Sequence, residues 1–241
     1  MNPARHLPDP APPPGQDELP YDDGMPLETE KHREQMNLLI ESLRRHLLPR
    51  TDVYVGGNMA VYYSAVQAKN REFLVPDVFV AEDSFPGKER KSWVMWEEDS
   101  HAPFVVIELL SESTEEEDRG RKMAIYAGLG VSNYYLFDPV DLRLEGYQLL
   151  PTRQWQTLAP SGGLLPCPPL GLALGIRPGT FQGHTTDWLR WCTPEGGMVP
   201  TGEEAERGRA EAERGRAEAE RERAERFAAR LRAAGIDPDA E

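Results

Sequence analysis

The sequence lacks most features of secreted and membrane-spanning proteins. Its 241 residues include only two cysteines, Cys167 and Cys192, which cannot build a disulfide framework and suit a reducing cytoplasm. The N-terminus shows no charged-then-apolar signal pattern. The longest apolar run, 104–107, is far shorter than the ~20 residues that a membrane helix needs. We therefore expect a soluble cytoplasmic protein without a membrane segment.

Positive charge is also scarce, because 27 basic side chains face 41 acidic ones and the formal net charge is -14. This balance excludes a simple polybasic nucleic-acid binder and a protein held on a membrane by a basic patch. Apolar residues make up 39% of the chain, below the roughly 45–50% of compact domains. Part of the chain is therefore expected to lie outside a folded core.

The two ends of the chain account for the shortage of apolar residues. Residues 1–27 are rich in proline and are predicted to form a disordered tail. Residues 196–241 are predicted to be a linker followed by a helix with a seven-residue repeat of Glu, Arg and Ala. Its alanines are spaced five and two apart, and Gly208 and Gly215 weaken the helix. A solvated charged helix is favoured, and a coiled coil remains the alternative.

Between these ends, residues 28–195 are predicted to form one domain. A helix over 28–48 carries its apolar residues on one face. Apolar or alternating segments predict strands, and a hairpin-type turn is expected at Gly56-Gly57-Asn58. The predicted strands lie within 52–63, 73–80, 104–110, 133–137 and 143–147, with a further strand around Trp155 and a short helix that carries Trp188 and Trp191 on one face.

A second helix is predicted after the strand 104–110. Ser113 with Glu116, or Thr114 with Glu117, fits a capping box. Gly128 and Gly130 are expected to end the helix. A strand–helix–strand unit set among antiparallel strands predicts a mixed-sheet α/β (α+β) domain flanked by helices.

Three charged residues stand out within this domain. Glu108 interrupts a strand that is otherwise apolar on both faces. A lone buried carboxylate is costly unless it is paired, protonated or bound to a metal, so the alternative is a strand end that touches water. Asp77 follows Pro76 at the entry to a strand, where the alternative is a simple turn. Lys122 lies four residues after Asp118 on the predicted helix, where the alternative is an exposed ion pair.

Together, these three residues predict a site for phosphodiester hydrolysis. Two carboxylates, Asp77 and Glu108, can hold Mg²⁺, which prefers oxygen ligands and keeps several waters. Lys122 can orient a water molecule or stabilise charge on a phosphate. A metal is needed at so acidic a site because the ion inverts the local charge that meets a polyanionic substrate.

Other candidate ligands are predicted to be structural. Cys167, His184 and Cys192 lack the close spacing of a zinc site. His101 is expected on the surface of an acidic loop. No glycine-rich segment matches a phosphate-binding or dinucleotide-binding motif.

The order of the segments resembles the Uma2 family of restriction endonucleases. The resemblance covers just over half of the chain, 28–150, and His32 also resembles a family position. The residues that carry it are Val75-Pro76-Asp77-Val78-Phe79-Val80, Ala102 to Ser111, Ser113-Thr114, Asp118, Lys122, Tyr126, Gly130-Val131 and Tyr134 to Pro139.

The resemblance implies the PD-(D/E)XK nuclease-like fold, in which a mixed sheet is flanked by helices. It also implies that Asp77 and Glu108 are the two acidic residues of that motif and bind Mg²⁺ or Mn²⁺. The lysine of the motif would stand at Leu110 and is absent. The resemblance therefore implies that Lys122, from the next helix, substitutes for it.

The leading expectation is a metal-dependent DNA endonuclease, which would act as a homodimer if it makes double-strand cuts. The alternative belongs to another class: a nuclease-like interaction module that no longer cuts and recruits a partner through its charged C-terminal helix. A third hypothesis is action on a different phosphorylated substrate.

Overall fold

The computed structural model of this protein describes residues 12–20, 29–68 and 72–234. The chain divides into two units, the first ending at Val199 and the second starting at Pro200. Among the described residues, no helix is both long and apolar enough to cross a membrane.

A six-stranded mixed sheet forms the centre of the first unit. Its strands, in order across the sheet, are β1 (Val53–Gly56), β3 (Val78–Glu82), β5 (Val105–Leu109), β6 (Asn133–Asp138), β7 (Arg143–Leu149) and β8 (Trp155–Thr157). The pair β5–β6 is parallel, and the other neighbouring pairs are antiparallel. The predicted mixed-sheet α/β fold is confirmed.

Helix α1 (Glu30–His46) packs on one face of this sheet. It begins at Thr29, whose hydroxyl accepts a hydrogen bond from the amide of His32 (3.1 Å). Its apolar residues Leu39 and Leu43 share a buried cluster with Ile107 of β5. The one-sided apolar pattern of the sequence therefore corresponds to the face that α1 buries.

A second, three-stranded antiparallel sheet adjoins the same core. Its strands are β9 (Leu164–Cys167), β10 (Leu172–Phe181) and β11 (His184–Cys192). Gln35 joins α1 to β11, because its amide nitrogen donates to the Leu189 carbonyl and its amide oxygen accepts from the Leu189 amide, both at 2.9 Å. These two hydrogen bonds fix the position of α1 along β11.

The opposite face of the central sheet carries the crossover between the parallel strands β5 and β6. It consists of α3 (Glu115–Glu117), a π-helical turn (Asp118–Lys122) and α4 (Met123–Leu129), which follow each other without a break. Gly130 ends this run with a φ of 89°. Tyr126 packs in a buried cluster with Val106 of β5 and Tyr134 of β6. Parallel strands need such a connection, and here it places a helix directly beside Glu108.

The hairpin-type turn predicted at Gly56-Gly57-Asn58 is wrong. β1 pairs with β3, whereas β2 (Val61–Tyr62) pairs with β4 (Trp93–Val94). The glycine at position 57 is required by close packing, because a Cβ atom there would lie 2.2 Å from the carbonyl oxygen of Asp77. The amide of Asn58 donates to the Pro76 carbonyl (2.9 Å). This segment therefore supports the backbone at Asp77. The helix α2 (Ala65–Ala68) follows it.

The helix predicted to carry Trp188 and Trp191 is also wrong, because both residues lie in β11. β11 pairs along its whole length with β10, a partner that the local spacing of two tryptophans does not reveal. Side chains alternate along a strand, so an odd spacing puts the two rings on opposite faces. Trp188 accordingly packs with Leu38 and Phe181, and Trp191 lies in the main core.

The crossover helix begins and ends differently in detail from the prediction. Thr114, which precedes α3, makes no side-chain capping hydrogen bond. Its amide instead donates to the hydroxyl of Ser111 (3.2 Å). Gly128 lies inside α4, so the helix continues past it to Leu129.

The two chain ends are described in part. Residues 1–11 and 21–28 of the predicted disordered tail lie outside the described residues. Residues 12–20 have defined contacts, since the Trp96 indole donates to the Pro14 carbonyl (3.0 Å) and Leu19 is buried. In the second unit, α5 (Gly202–Ala233) begins with a capping box between Thr201 and Glu204 and has no buried residue.

Candidate active site

Asp77 and Glu108 lie side by side at the edge where β3 begins and β5 ends. β3 and β5 are antiparallel, and Val78 stands opposite Ile107. This register places Asp77, just before β3, next to Glu108. The amide of Asp77 donates to Oε2 of Glu108 (3.2 Å). Two residues far apart in sequence are therefore brought together by a strand pairing.

Both carboxylate oxygens of Asp77 have protein partners. Oδ2 accepts a hydrogen bond from the amide of Leu109 (2.8 Å). Oδ1 lies 2.8 Å from Nε2 of His32, which reaches in from the first turn of α1. Asp77 is thus held between the end of β5 and the start of α1, with 16% of its side chain exposed.

Glu108 lies deeper, and its whole residue is buried. Its Oε1 accepts a hydrogen bond from the Tyr126 hydroxyl (2.9 Å), and the same oxygen lies 3.3 Å from Nζ of Lys122. Burial raises the pKa of the Glu108 carboxyl to about 8; the nearby charge of Lys122 opposes this increase, while Asp118 and Asp77 add to it. Glu108 is therefore protonated over much of the neutral range unless a cation joins the cluster.

Lys122, the last residue of the π-helical turn, bridges the carboxyl groups of Asp118 and Glu108. Its Nζ lies 2.8 Å from Oδ1 of Asp118 and 3.3 Å from Oε1 of Glu108. Burial lowers the pKa of Lys122, but the negative charges of Glu108 and Asp118 outweigh this effect and raise it. The lysine is therefore a permanent cation within the cluster. A π turn is rare and is often found at functional sites, and here its first and last residues, Asp118 and Lys122, form an ion pair next to Glu108.

Asp118 also belongs to this cluster, although the sequence analysis did not assign it to the site. It is buried, and Oδ1 makes no well-aligned hydrogen bond with any described residue, although the ion pair with Lys122 is close. The Tyr134 hydroxyl donates to its backbone carbonyl (2.9 Å). The spacing of four residues to Lys122 was visible in the sequence, but burial of both side chains was not. The alternative considered for Lys122, an exposed ion pair with Asp118, is therefore wrong, because the pair is buried.

The donor set fits a hard divalent cation. Three carboxyl groups, those of Asp77, Glu108 and Asp118, lie near the single ammonium group of Lys122 in a mostly buried space, so negative charge is in excess once Glu108 loses its proton. Carboxylate oxygens are the ligands that Mg²⁺ and Mn²⁺ prefer. In the described part of the chain, no third His, Cys, Asp or Glu joins Asp77 and Glu108 in a group whose ligand atoms all lie within 4.8 Å. Water would therefore supply most of the remaining ligands, as is usual for Mg²⁺.

Leu110, where the motif lysine would stand, is buried in the apolar cluster beside Tyr126. The position is therefore occupied by an apolar side chain, and the lysine that lies beside Glu108 is Lys122 of the crossover helix. Cys167 and Cys192 are buried, unbridged thiols. His101 lies away from this cluster, where its Nδ1 pairs with Glu82 (3.2 Å).

The fold and the cluster around Glu108 together define the class of this protein. It is a mixed α/β protein with an acidic, lysine-containing cluster at the end of a parallel strand. The family model described as "Uma2: Putative restriction endonuclease" matches residues 17–177, which is more than half of the chain. The chain therefore belongs to the Uma2 family, and the predicted resemblance is confirmed. Its residues 12–16 and its C-terminal helix lie outside the matched range.

A solved structure from Anabaena variabilis, described as "a putative nuclease belonging to DUF820", is also similar to this chain. The sequence identity is 18%, the match covers 66% of this chain and 91% of that chain, and the TM-score is 0.47. No functionally curated protein matches the chain.

Proposed function

We propose that this protein is a metal-dependent endonuclease that hydrolyses phosphodiester bonds in DNA, with Mg²⁺ or Mn²⁺ held by Asp77 and Glu108. The observation that supports this most strongly is the convergence of Asp77, Glu108 and Lys122 from three different elements. Family membership supports a nuclease as the type of enzyme. When bound, the ion would lower the pKa of a coordinated water and neutralise charge on the phosphate.

The residues around the cluster would orient its acidic groups. His32 and the Leu109 amide hold the two oxygens of Asp77, and Tyr126 holds Glu108. In the proposed reaction, Lys122 stabilises negative charge that develops on the phosphate. Asp77 and Lys122 retain 16% and 14% exposure, whereas Glu108 retains 1%. The substrate would therefore approach from the side of Asp77 and Lys122.

The overall charge of the chain shapes the proposed interaction with DNA. With a net charge of -14, the protein repels a polyanion at long range, so binding would depend on the divalent ion and fall steeply with salt. One site cleaves one strand, so a double-strand cut would require a homodimer. The two free cysteines fit action in a reducing compartment such as the cytoplasm.

Two observations favour a second function, that of an interaction module without catalysis. The motif lysine is replaced by the buried Leu110, and Glu108 is fully buried. In that case the exposed, charged helix α5 would recruit a partner.

Cleavage of plasmid DNA with Mg²⁺ or Mn²⁺ separates these proposals. We expect the wild type to cut, and Asp77→Asn and Glu108→Gln to lose about 10²-fold or more of the rate. Glu82→Gln, which changes an exposed carboxylate at the end of β3, serves as the matched control and should retain full activity. Equal cutting by all four proteins would mean contamination. A wild type that neither cuts nor gains thermal stability from Mn²⁺ would favour the interaction module.

A further inference from the structure

A second group of metal-binding side chains lies where the first turn of α1 meets the start of β11. Glu30 and Glu34 stand one helical turn apart on α1, and His184 begins β11. One ligand atom from each residue can be chosen so that all three lie within 4.8 Å of one another. None of the three belongs to the cluster around Glu108. His32 lies between the two glutamates in sequence, but a two-residue offset turns it to another side of the helix, toward Asp77.

Glu34 is the unusual member of this group. Only 10% of its side chain is exposed, yet its carboxylate accepts no hydrogen bond from any residue that the structure describes. Its nearest charged neighbour is Nε2 of His184 at 3.6 Å, which is too long for a hydrogen bond. The carboxylate thus has one long ion pair, to an imidazole that carries charge only when it is protonated. A cation between Glu34 and His184 would bind both groups more closely than they bind each other.

The surroundings leave room for an ion, and the protein cation nearest to Glu30 among the described residues is Arg33, whose guanidinium lies 3.9 Å away on the exposed side. Glu30, Glu34 and His184 line an open pocket of about 210 Å³, together with Thr185, Thr186 and Lys31. Lys31 does not neutralise the carboxylates by a close contact, because its Nζ is engaged by the Pro139 carbonyl at 2.7 Å. An ion in the pocket would meet two carboxylates and one imidazole, with open positions for water.

We propose that Glu30, Glu34 and His184 form a binding site for a divalent first-row transition metal ion of the Zn²⁺, Co²⁺ or Ni²⁺ type. An imidazole together with carboxylates suits these borderline ions better than Mg²⁺ or Ca²⁺, which favour oxygen ligands alone. The ion would join α1 to β11 next to the existing contacts between Gln35 and Leu189. It would thus brace the same helical turn that presents His32 to Asp77.

The test is calorimetric titration of the full-length chain with Zn²⁺. All proteins carry Glu108→Gln, which weakens the proposed Mg²⁺ site and leaves the second group intact. We expect saturable binding of one Zn²⁺ per chain. Glu34→Gln and His184→Asn should each weaken it by at least about tenfold. His101→Asn, which removes another surface histidine paired with a glutamate, is the matched control and should bind as tightly as the parent.

A third site variant and a measurement of melting temperature complete the test of the proposed metal site. Glu30→Gln changes an exposed side chain, so it tests the site even if a change at the buried Glu34 disturbs folding. Zn²⁺ should raise the melting temperature of the parent and not that of Glu30→Gln or His184→Asn. Absence of saturable binding, or equal binding by the three site variants and the control, would overturn the proposal. Neither result depends on whether the protein cuts DNA.

Discussion

The ammonium nitrogen of Lys122 lies 3.3 Å from a carboxylate oxygen of Glu108, although the two residues come from a helical turn and from a buried strand. The same nitrogen lies 2.8 Å from Asp118. Lys122 therefore has two roles that can be separated: it compensates buried negative charge in the folded protein, and in the proposed reaction it faces the substrate.

The structural role of Lys122 predicts a coupled stability effect with Asp118. Lys122→Met leaves two buried carboxyl groups without their cation and should lower the free energy of unfolding by about 3–5 kcal/mol. In the Lys122→Met background, Asp118→Asn should cost less than it does alone, by about 1–3 kcal/mol. Urea denaturation of the four proteins measures this coupling. Simple additivity would contradict the buried ion pair.

Stability and metal binding should depend on pH through Glu108. Its pKa is raised from 4.5 to about 8 in the folded state. The stability that its neutral form contributes is therefore fully present below about pH 4.5 and is lost as the pH rises through about 8. A divalent cation competes with this proton, so the increase in melting temperature caused by Mn²⁺ should grow between about pH 6 and about pH 9.

Glu108→Gln provides the comparison for this pH dependence, because glutamine cannot titrate. The variant should show a smaller Mn²⁺ effect that stays flat over the same pH range. If the wild type and Glu108→Gln respond alike to pH and Mn²⁺, then Glu108 is not the group whose proton the ion displaces.

Tyr126 should matter for metal binding as well as for stability. Tyr126→Phe removes the hydroxyl that donates to Glu108 and should cost about 1–2 kcal/mol of unfolding free energy. It should also raise the pKa of Glu108 further and weaken the stabilisation by Mn²⁺. Tyr135→Phe is the control, since that hydroxyl donates to the Pro166 carbonyl (2.6 Å) away from the site. Similar losses of Mn²⁺ response in both variants would refute a specific role for Tyr126.

Gly57 should be intolerant of any side chain. Gly57→Ala would place a Cβ atom 2.2 Å from the carbonyl oxygen of Asp77, so the backbone that presents Asp77 must move. We expect a loss of about 2 kcal/mol or more in stability together with loss of Mn²⁺ binding. Gly128→Ala is the counterpart, because no other group lies within 4 Å of its added methyl and alanine favours a helix by up to about 1 kcal/mol. Equal stability of the two variants would argue against the close contact.

The C-terminal helix predicts a simple solution measurement. α5 has no buried residue, and its charged side chains pair mainly along the helix, as Arg207 does with Glu203. Removing 203–241 should therefore leave the oligomeric state unchanged while reducing the helical circular dichroism signal. Light scattering decides between this solvated helix and a coiled coil, since a coiled coil would reduce the mass by a whole-number factor.

Much of the fold could be predicted from local patterns, which also marked Asp77, Glu108 and Lys122 as the candidate site residues. The apolar run around Glu108 predicted a buried strand, and the one-sided pattern of α1 predicted a packed helix, because both depend on residues close in sequence. The β10–β11 hairpin could not be predicted in this way. Its strands are defined by pairing with each other, and the three-residue spacing of Trp188 and Trp191 imitates a helix. Gly57 was similarly predicted to form a turn, whereas glycine is required there because any side chain would collide with the backbone of Asp77.

The sequence by itself determined which chemistry was available: two carboxylates and a lysine in the order of the Uma2 family, within an acidic chain. Only the tertiary structure decided how these groups act on one another. Strand pairing sets Asp77 against Glu108, the π turn brings Lys122 and Asp118 to the same point, and burial raises the pKa of Glu108. It also decided that Glu34, which no motif marks, lies buried beside His184. The physical reason is that the cost of a charge depends on its burial and its neighbours, and both arise from contacts between distant parts of the chain.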